Sequence, residues 1–163
     1  VWDGAELVGH VAKANPHWRQ WLGGGVPALA VFQGPQAYVS PSLYPSKAEH
    51  GRVVPTWNYV AVHAQGTAVA VPEAEPLRRI VSLLTDAMEA PRAAPWKVTD
   101  APEPFVQGQL KGIVGIRLSG VVLSGARKLS ANRDAADRAG VIEGLSAGDA
   151  DAQAVAALMR DGA

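Results

Sequence analysis

The chain has 163 residues, 48% of them apolar, and a mean hydropathy of +0.03; as one domain it is long enough to bury about 70% of its unfolded surface, and it is too apolar to be disordered. Fifteen Lys and Arg balance fifteen Asp and Glu, so there is no overall electrostatic footprint for nucleic acid. Cysteine is absent, which excludes disulfides and thiolate chemistry and fits a reducing, cytoplasmic compartment; no apolar run approaches the ~20 residues of a membrane span, and no signal peptide is visible.

In chain order, Glu6 to Ala12 reads as a short strand with His10 near its end. Asn15-Pro16 turns the chain, because the residue before proline is pushed away from helical geometry. Trp18 and Trp21 follow, then Gly23 to Gly25, a turn and not a phosphate loop, since no Lys-Ser/Thr comes after it. Val26 to Gln33 is a continuous apolar strand, Gly34-Pro35 a turn, and Ala37 to Ser40 a returning strand, which predicts a hairpin. A loop rich in Pro, Ser and Lys leads to a strand from Pro55 to Ala64, and Gln65-Gly66 turns it into Thr67 to Val71, a second hairpin. Alternation along the longer strand sets Thr56, Asn58, Val60 and Val62 on one face, with the valines expected in the core. Trp57, Tyr59, Ala61 and His63 take the other face, expected to meet a ligand or a second subunit. Short strands joined by tight turns predict an antiparallel barrel or sandwich.

Beyond the strands, Pro76 suits a first helical turn, and Leu77, Ile80, Val81, Leu84 and Met88 form one helical face. Asp100-Ala101-Pro102-Glu103 resembles a capping box for a short helix through Phe105 and Leu110. Gly112 to Leu123 reads as a long strand, with a bulge at Gly120. Asn132 is expected to cap a helix to about Leu145. A last helix from about Asp149 carries Ala152, Val155, Ala156 and Met159 at helical spacing and closes at Gly162. No repeat or long linker divides residues 1–163, which read as a single domain.

The four histidines form no HExxH pair, and no metal site is expected. There is no GxSxG, and Ser40, Ser42 and Ser46 have no assigned base. Asp134 and Asp137, beside Arg133 and Arg138, read as a solvated, paired helix face. The stretch from Val39 to His63 is richer in chemistry. It lays hydroxyls, Lys47 and backbone N–H groups beside a strand carrying Thr56, Trp57, Asn58 and Tyr59, equipment for a phosphate-bearing ligand with a ring. Lys128, followed by Leu129-Ser130-Ala131-Asn132-Arg133, offers a similar mixture of cation and polar donors.

The segments GHVAKANPHW (9–18), VFQGPQAYVSPSLYPSK (31–47), VVPTWNYVAVHAQG (53–66), PWKVTDAP (95–102), IVGI (113–116) and KLSANR (128–133) together resemble the PaiB family of FMN-binding negative transcriptional regulators. The family is similar in fold to the FMN-binding split β-barrels of the pyridoxamine-phosphate-oxidase group. The resemblance implies a mainly β, α+β split barrel with C-terminal helices, FMN as cofactor, and a homodimer holding flavin between subunits. It suggests His10 and Lys13 as ligand-side groups, Tyr38 and Ser40 on a cofactor-facing strand, and Lys47 at the end of the loop. Thr56, Trp57 and Asn58 would begin the next strand, and Lys128, Ser130 and Asn132 would approach from the C-terminal block. DNA is a partner by the family's description alone; zero net charge and no basic reading helix predict weak, unselective duplex binding. The alternatives are a flavin-dependent oxidoreductase of the same fold, or a haem-binding or cofactor-free dimerisation module. Leu43 stands where the family usually has Trp, and Ala131 where it has Gln. The family's upstream strands have no counterpart here, which predicts an exposed sheet edge.

Overall fold

The computed structural model describes residues 1–162. Its strands are β1 (Trp2–Asp3), β2 (Glu6–Ala12), β3 (Val26–Val39), β4 (Thr56–Val71) and β5 (Ile113–Lys128). Its helices are α1 (Ser46–His50), α2 (Ala74–Glu89), α3 (Glu103–Leu110), α4 (Ala135–Ser146) and α5 (Ala150–Asp161). The strands form one sheet in the order β1-β2-β5-β4-β3. β2 and β5 run antiparallel, with Leu7 opposite Leu118 and Ala12 opposite Ile113. The result is α+β, with an open sheet that ends at β1 and β3.

Neither expected hairpin forms. β3 is one strand of 14 residues through Gly34-Pro35, and β4 is one strand of 16 residues through Gln65-Gly66. These glycines serve close approach and not chain reversal. A Cβ at Gly66 would lie 2.5 Å from the Ser119 carbonyl oxygen, and one at Gly34 would lie 3.2 Å from that of Val60. Gly120, at the expected bulge, has a φ of +60°, left-handed geometry that glycine adopts at little cost.

By contacts the chain sorts into two compact units, each drawn from separated stretches: Val1–Ala30 with Ala64–Val122, and Val31–His63 with Leu123–Ala163. In the first, α2 buries Leu77 and Ile80, Val81 and Leu84 are half-covered, and Met88 remains exposed. Leu77 packs with Val98, Val106 and Leu110, while Ala64, Ala68 and Leu118 form a separate cluster. The expected capping box falls one turn earlier than predicted. The Asp100 carboxylate accepts from the Lys97 N–H at 2.9 Å and closes the 3₁₀ turn Val98–Asp100. Pro102 caps α3 without a side-chain bond, and Glu103 is free to pair with Arg78 of α2.

In the second unit, Val39, Tyr44, Val141, Val155, Ala156 and Met159 make the core. Asp149 opens α5 as expected, its carboxylate accepting from the Ala152 N–H at 2.9 Å. The cap of α4, however, is Asp134 and not Asn132; its carboxylate accepts from the Asp137 N–H at 2.8 Å. The predicted faces of β4 also shift. Tyr59 and Val60 are both half-buried, so the alternation changes phase there. Ala61 is buried and Val62, assigned to the core, is exposed.

Gly140 and Gly144 sit one turn apart on α4 and form a notch for Leu43. A Cβ at Gly140 would collide with the Leu43 carbonyl oxygen, which belongs to the backbone. A Cβ at Gly144 would meet only the tip of the Leu43 side chain, which can turn aside. Gly140→Ala is therefore expected to destabilise by about 1–3 kcal/mol through overpacking, and Gly144→Ala by clearly less. Urea denaturation of the two variants checks the order; equal midpoints would refute it.

Candidate functional site

Thr56 opens β4 and Lys128 closes β5. The Lys128 ammonium donates to the Thr56 hydroxyl at 2.7 Å. Two residues beyond each of these lies a second tie. The Asn58 amide donates to the Ser130 hydroxyl at 3.0 Å, and that hydroxyl donates back to the Asn58 carbonyl oxygen at 3.1 Å. The same amide nitrogen lies 3.4 Å from the Met159 sulfur of α5. Asn58 is 0% exposed, so both functions of its amide must be satisfied inside the protein, and they are. Ser130 has a φ of +56°, the one non-glycine residue with positive φ among those described. The reciprocal bond with Asn58 helps to hold that disfavoured conformation. Lys128 is exposed and Thr56 half-buried, while the inner pair is buried, and no ion pair among the described residues involves Lys128.

Trp57 lies between Thr56 and Asn58, so its side chain projects to the opposite face of the strand. It meets Tyr38 edge-on, ring centroids 5.8 Å apart at 67°, and both rings are about half exposed, at 51%. They line a hollow of ≈ 390 Å³ together with Leu43, Leu145 and Gly148. Lys47 is exposed on α1 and lines a different, larger hollow of ≈ 800 Å³ with Leu43 and Glu143.

The loop that carries Lys47 is tied to α4. Asp137 accepts from the Ser46 N–H at 3.0 Å and from its hydroxyl at 2.7 Å. Arg133 stacks over the Tyr44 ring at 4.5 Å. Asp137 is buried and not on the solvated face that the sequence predicts. Its burial pushes the carboxyl pKa upward, but the two Ser46 bonds, with Arg133 and His50 nearby, hold it below the ordinary value. The neighbouring Arg138 turns away to the carbonyls of Leu129 and Met159.

The remaining predicted residues are scattered. Ser40 is taken up locally, accepting from the Ser42 N–H at 3.2 Å and capping the 3₁₀ turn Pro41–Leu43. Asn132 is exposed in the turn before α4. His10, exposed on β2 opposite Gly115, and Lys13, whose N–H donates to the Gly112 carbonyl at 2.8 Å, belong to the first unit. The structure thus brings Thr56 and Lys128 together, ties Asn58 to Ser130, and pairs Tyr38 with Trp57. Asp137, Arg133 and the Gly140–Gly144 notch were not singled out for these roles. Their one local signal is the small-xxx-small spacing on a predicted helix.

An exposed ammonium bonded to a hydroxyl, with no acid neutralising it, is a donor set that fits a phosphate. Half-exposed aromatic rings beside a hollow fit the flat part of a ring-bearing ligand. An open antiparallel sheet flanked by helices, with these two groups on opposite faces of β4, defines an α+β domain. Residues 2–119 match the family described as "Putative FMN-binding domain". The chain belongs to this family, which has FMN as its cofactor, and it is PaiB-like.

It is similar to Protease synthase and sporulation protein PAI 2 of Bacillus subtilis, 35% identical over 156 residues, covering 95% of this chain and 72% of that protein. It is also similar to an uncharacterized protein of Aspergillus fumigatus, 36% identical over 170 residues, covering 85% of this chain and 65% of that one. An uncharacterized protein of Saccharomyces cerevisiae is 34% identical over 101 residues, covering 61% of this chain and 59% of its own length. The chain therefore spans well under the full length of these relatives. Lys128 and Ser130 lie beyond the family match, which ends at Ser119. No described helix is long and apolar enough to cross a membrane.

Proposed function

We propose that this chain is the FMN-holding part of a homodimeric, PaiB-like regulator with a split-barrel arrangement. Its cofactor phosphate would rest on Lys128 and Thr56. The observation that carries the reading is the exposed Lys128–Thr56 pair at 2.7 Å, free of any ion-pair partner among the described residues. The ammonium neutralises charge and the hydroxyl donates a further hydrogen bond. The buried Asn58–Ser130 tie holds the two strand ends in register and so keeps that pair at a fixed spacing. Tyr38 and Trp57, on the opposite face, would cover a ring system or a partner's surface.

When bound, FMN supplies an acceptor and donor of electrons; none of the residues placed here is needed as acid or base for that. The regulatory role rests on the PaiB resemblance, and the Bacillus subtilis relative's name, which speaks of protease synthase and sporulation, is compatible with it. Dimerisation is supported by apolar side chains left exposed in the second unit, including Val31, Phe32, Val54, Trp57, Val62 and Leu123. A stable interface buries more than roughly 1,000 Å², and these side chains give it apolar area to cover.

Size-exclusion chromatography with light scattering and flavin absorbance tests both parts. The expected result is a particle of twice 17.0 kDa carrying one FMN per chain. A monomer at micromolar concentration would sink the dimer. A colourless protein after incubation with FMN would sink the cofactor reading.

A further inference from the structure

The first unit holds a hollow that the flavin reading leaves unused. It has a volume of ≈ 260 Å³ and lies among the segment after β2, the start of α2 and the end of α3. Leu77, Leu110 and Val114 line it, and each is no more than 6% exposed. Trp18 lines it too and is pinned, because its indole N–H donates to the Lys13 carbonyl at 3.0 Å. The Lys13 N–H in turn donates to the Gly112 carbonyl at 2.8 Å. That bond sets Lys13 beside the residue that follows Lys111, so two ammonium-bearing residues share one rim. Both line the hollow, no Asp or Glu does, and neither lysine enters an ion pair among the described residues.

Lys111 has a partial explanation of its own. It stands at the C-terminal end of α3, where a cation is favoured by the helix carbonyls. Lys13 has no such reason to be there. Two like charges at one rim repel each other, and the potential they raise favours an anion. The apolar lining beneath them favours a hydrocarbon body over a bare inorganic ion. Size narrows the class further. A dry cavity of about 150 Å³ accepts benzene, so ≈ 260 Å³ admits one ring with a short acidic arm and is cramped for a three-ring flavin.

We propose that this hollow is a second binding site, for a small carboxylate with an apolar body the size of one ring, separate from the FMN site. Lys13 and Lys111 grip the carboxylate, and Trp18 with the buried leucines takes the ring.

The test is calorimetric titration of the FMN-loaded protein with phenylacetate, matched by phenylacetamide, which has nearly the same shape without the charge. Phenylacetate is expected to bind saturably, and the amide at least about 10-fold more weakly. Lys13→Gln and Lys111→Gln should each weaken phenylacetate by roughly 5- to 10-fold and leave the amide unchanged, and Lys111→Gln should leave the FMN affinity unchanged. Unchanged FMN affinity of Lys111→Gln shows that this variant is folded, and an unchanged urea midpoint shows the same for Lys13→Gln. No saturable phenylacetate binding up to about 10 mM would overturn the proposal, as would equal affinity for the amide. Release of bound FMN by phenylacetate would also overturn it, because the hollow would then be part of the flavin site. Failure of FMN to bind at all would refute the preceding reading without touching this one, since phenylacetate binding can be followed without the cofactor.

Discussion

Lys128→Ala is expected to weaken FMN binding by about 10- to 150-fold and to leave riboflavin binding almost unchanged. The ammonium offers a charge-assisted hydrogen bond to a phosphate oxygen, and such bonds contribute about 1.5–3 kcal/mol. The pair with Thr56 is exposed, so solvent screening sets the effect nearer the lower figure. Riboflavin carries the same rings without the phosphate, so the preference for FMN over riboflavin should shrink by the same factor. A folding defect would weaken both ligands together, and the paired titration separates the two causes. Thr56→Val, which removes the hydroxyl and keeps the shape, should act in the same direction and more weakly. If Lys128→Ala keeps the wild-type ratio, the phosphate is held elsewhere, and Lys47 is the next residue to change.

Asn58→Ala should cost about 1–3 kcal/mol of stability, before any contribution from the space left behind. The Asn58 amide is fully buried and is both donor and acceptor to Ser130. Its loss leaves the Ser130 hydroxyl, 5% exposed, without that partner, and an unsatisfied buried polar group costs this much. It also removes the bond that helps hold Ser130 at a φ of +56°. Urea denaturation with a lowered midpoint and an unchanged slope is the expected outcome. Ser130→Gly relieves the backbone strain but leaves the buried Asn58 carbonyl oxygen without its donor, so it too should lower the midpoint. An unchanged midpoint in both variants would mean that the tie contributes little.

Helix faces were readable because their signals are local. Leu77 and Ile80 on α2, and Val155, Ala156 and Met159 on α5, recur at helical spacing, and the cap at Asp149 stands next to the helix it starts. The hairpins were misread because glycine has two meanings in a strand. At Gly34 and Gly66 it allows a neighbouring carbonyl to come close, and only the neighbouring strand, many residues away, decides between that and a turn. Distance along the chain also hid Asp137. Its partner Ser46 is 91 positions earlier, so the aspartate looked like one more charge on a solvated helix. Of the candidate ligand residues, alternation separated Trp57 from Thr56 and Asn58 correctly. Nothing local indicated that Asn58 would be buried against Ser130, or that Lys128 would reach Thr56, because both ties span 72 positions.

The division into two units passes between Ala30 and Val31, between His63 and Ala64, and between Val122 and Leu123. Each of these junctions falls inside a long strand, β3, β4 or β5. Neither unit is therefore a contiguous stretch of gene. A hybrid that took one unit from this chain and the other from a relative would need three crossovers, every one in mid-strand, where a one-residue slip would turn side chains to the wrong face. A single crossover would instead split at least one unit between the two parents. Shuffling of parental halves is thus a poor route to new variants of this fold, and point substitution the natural one.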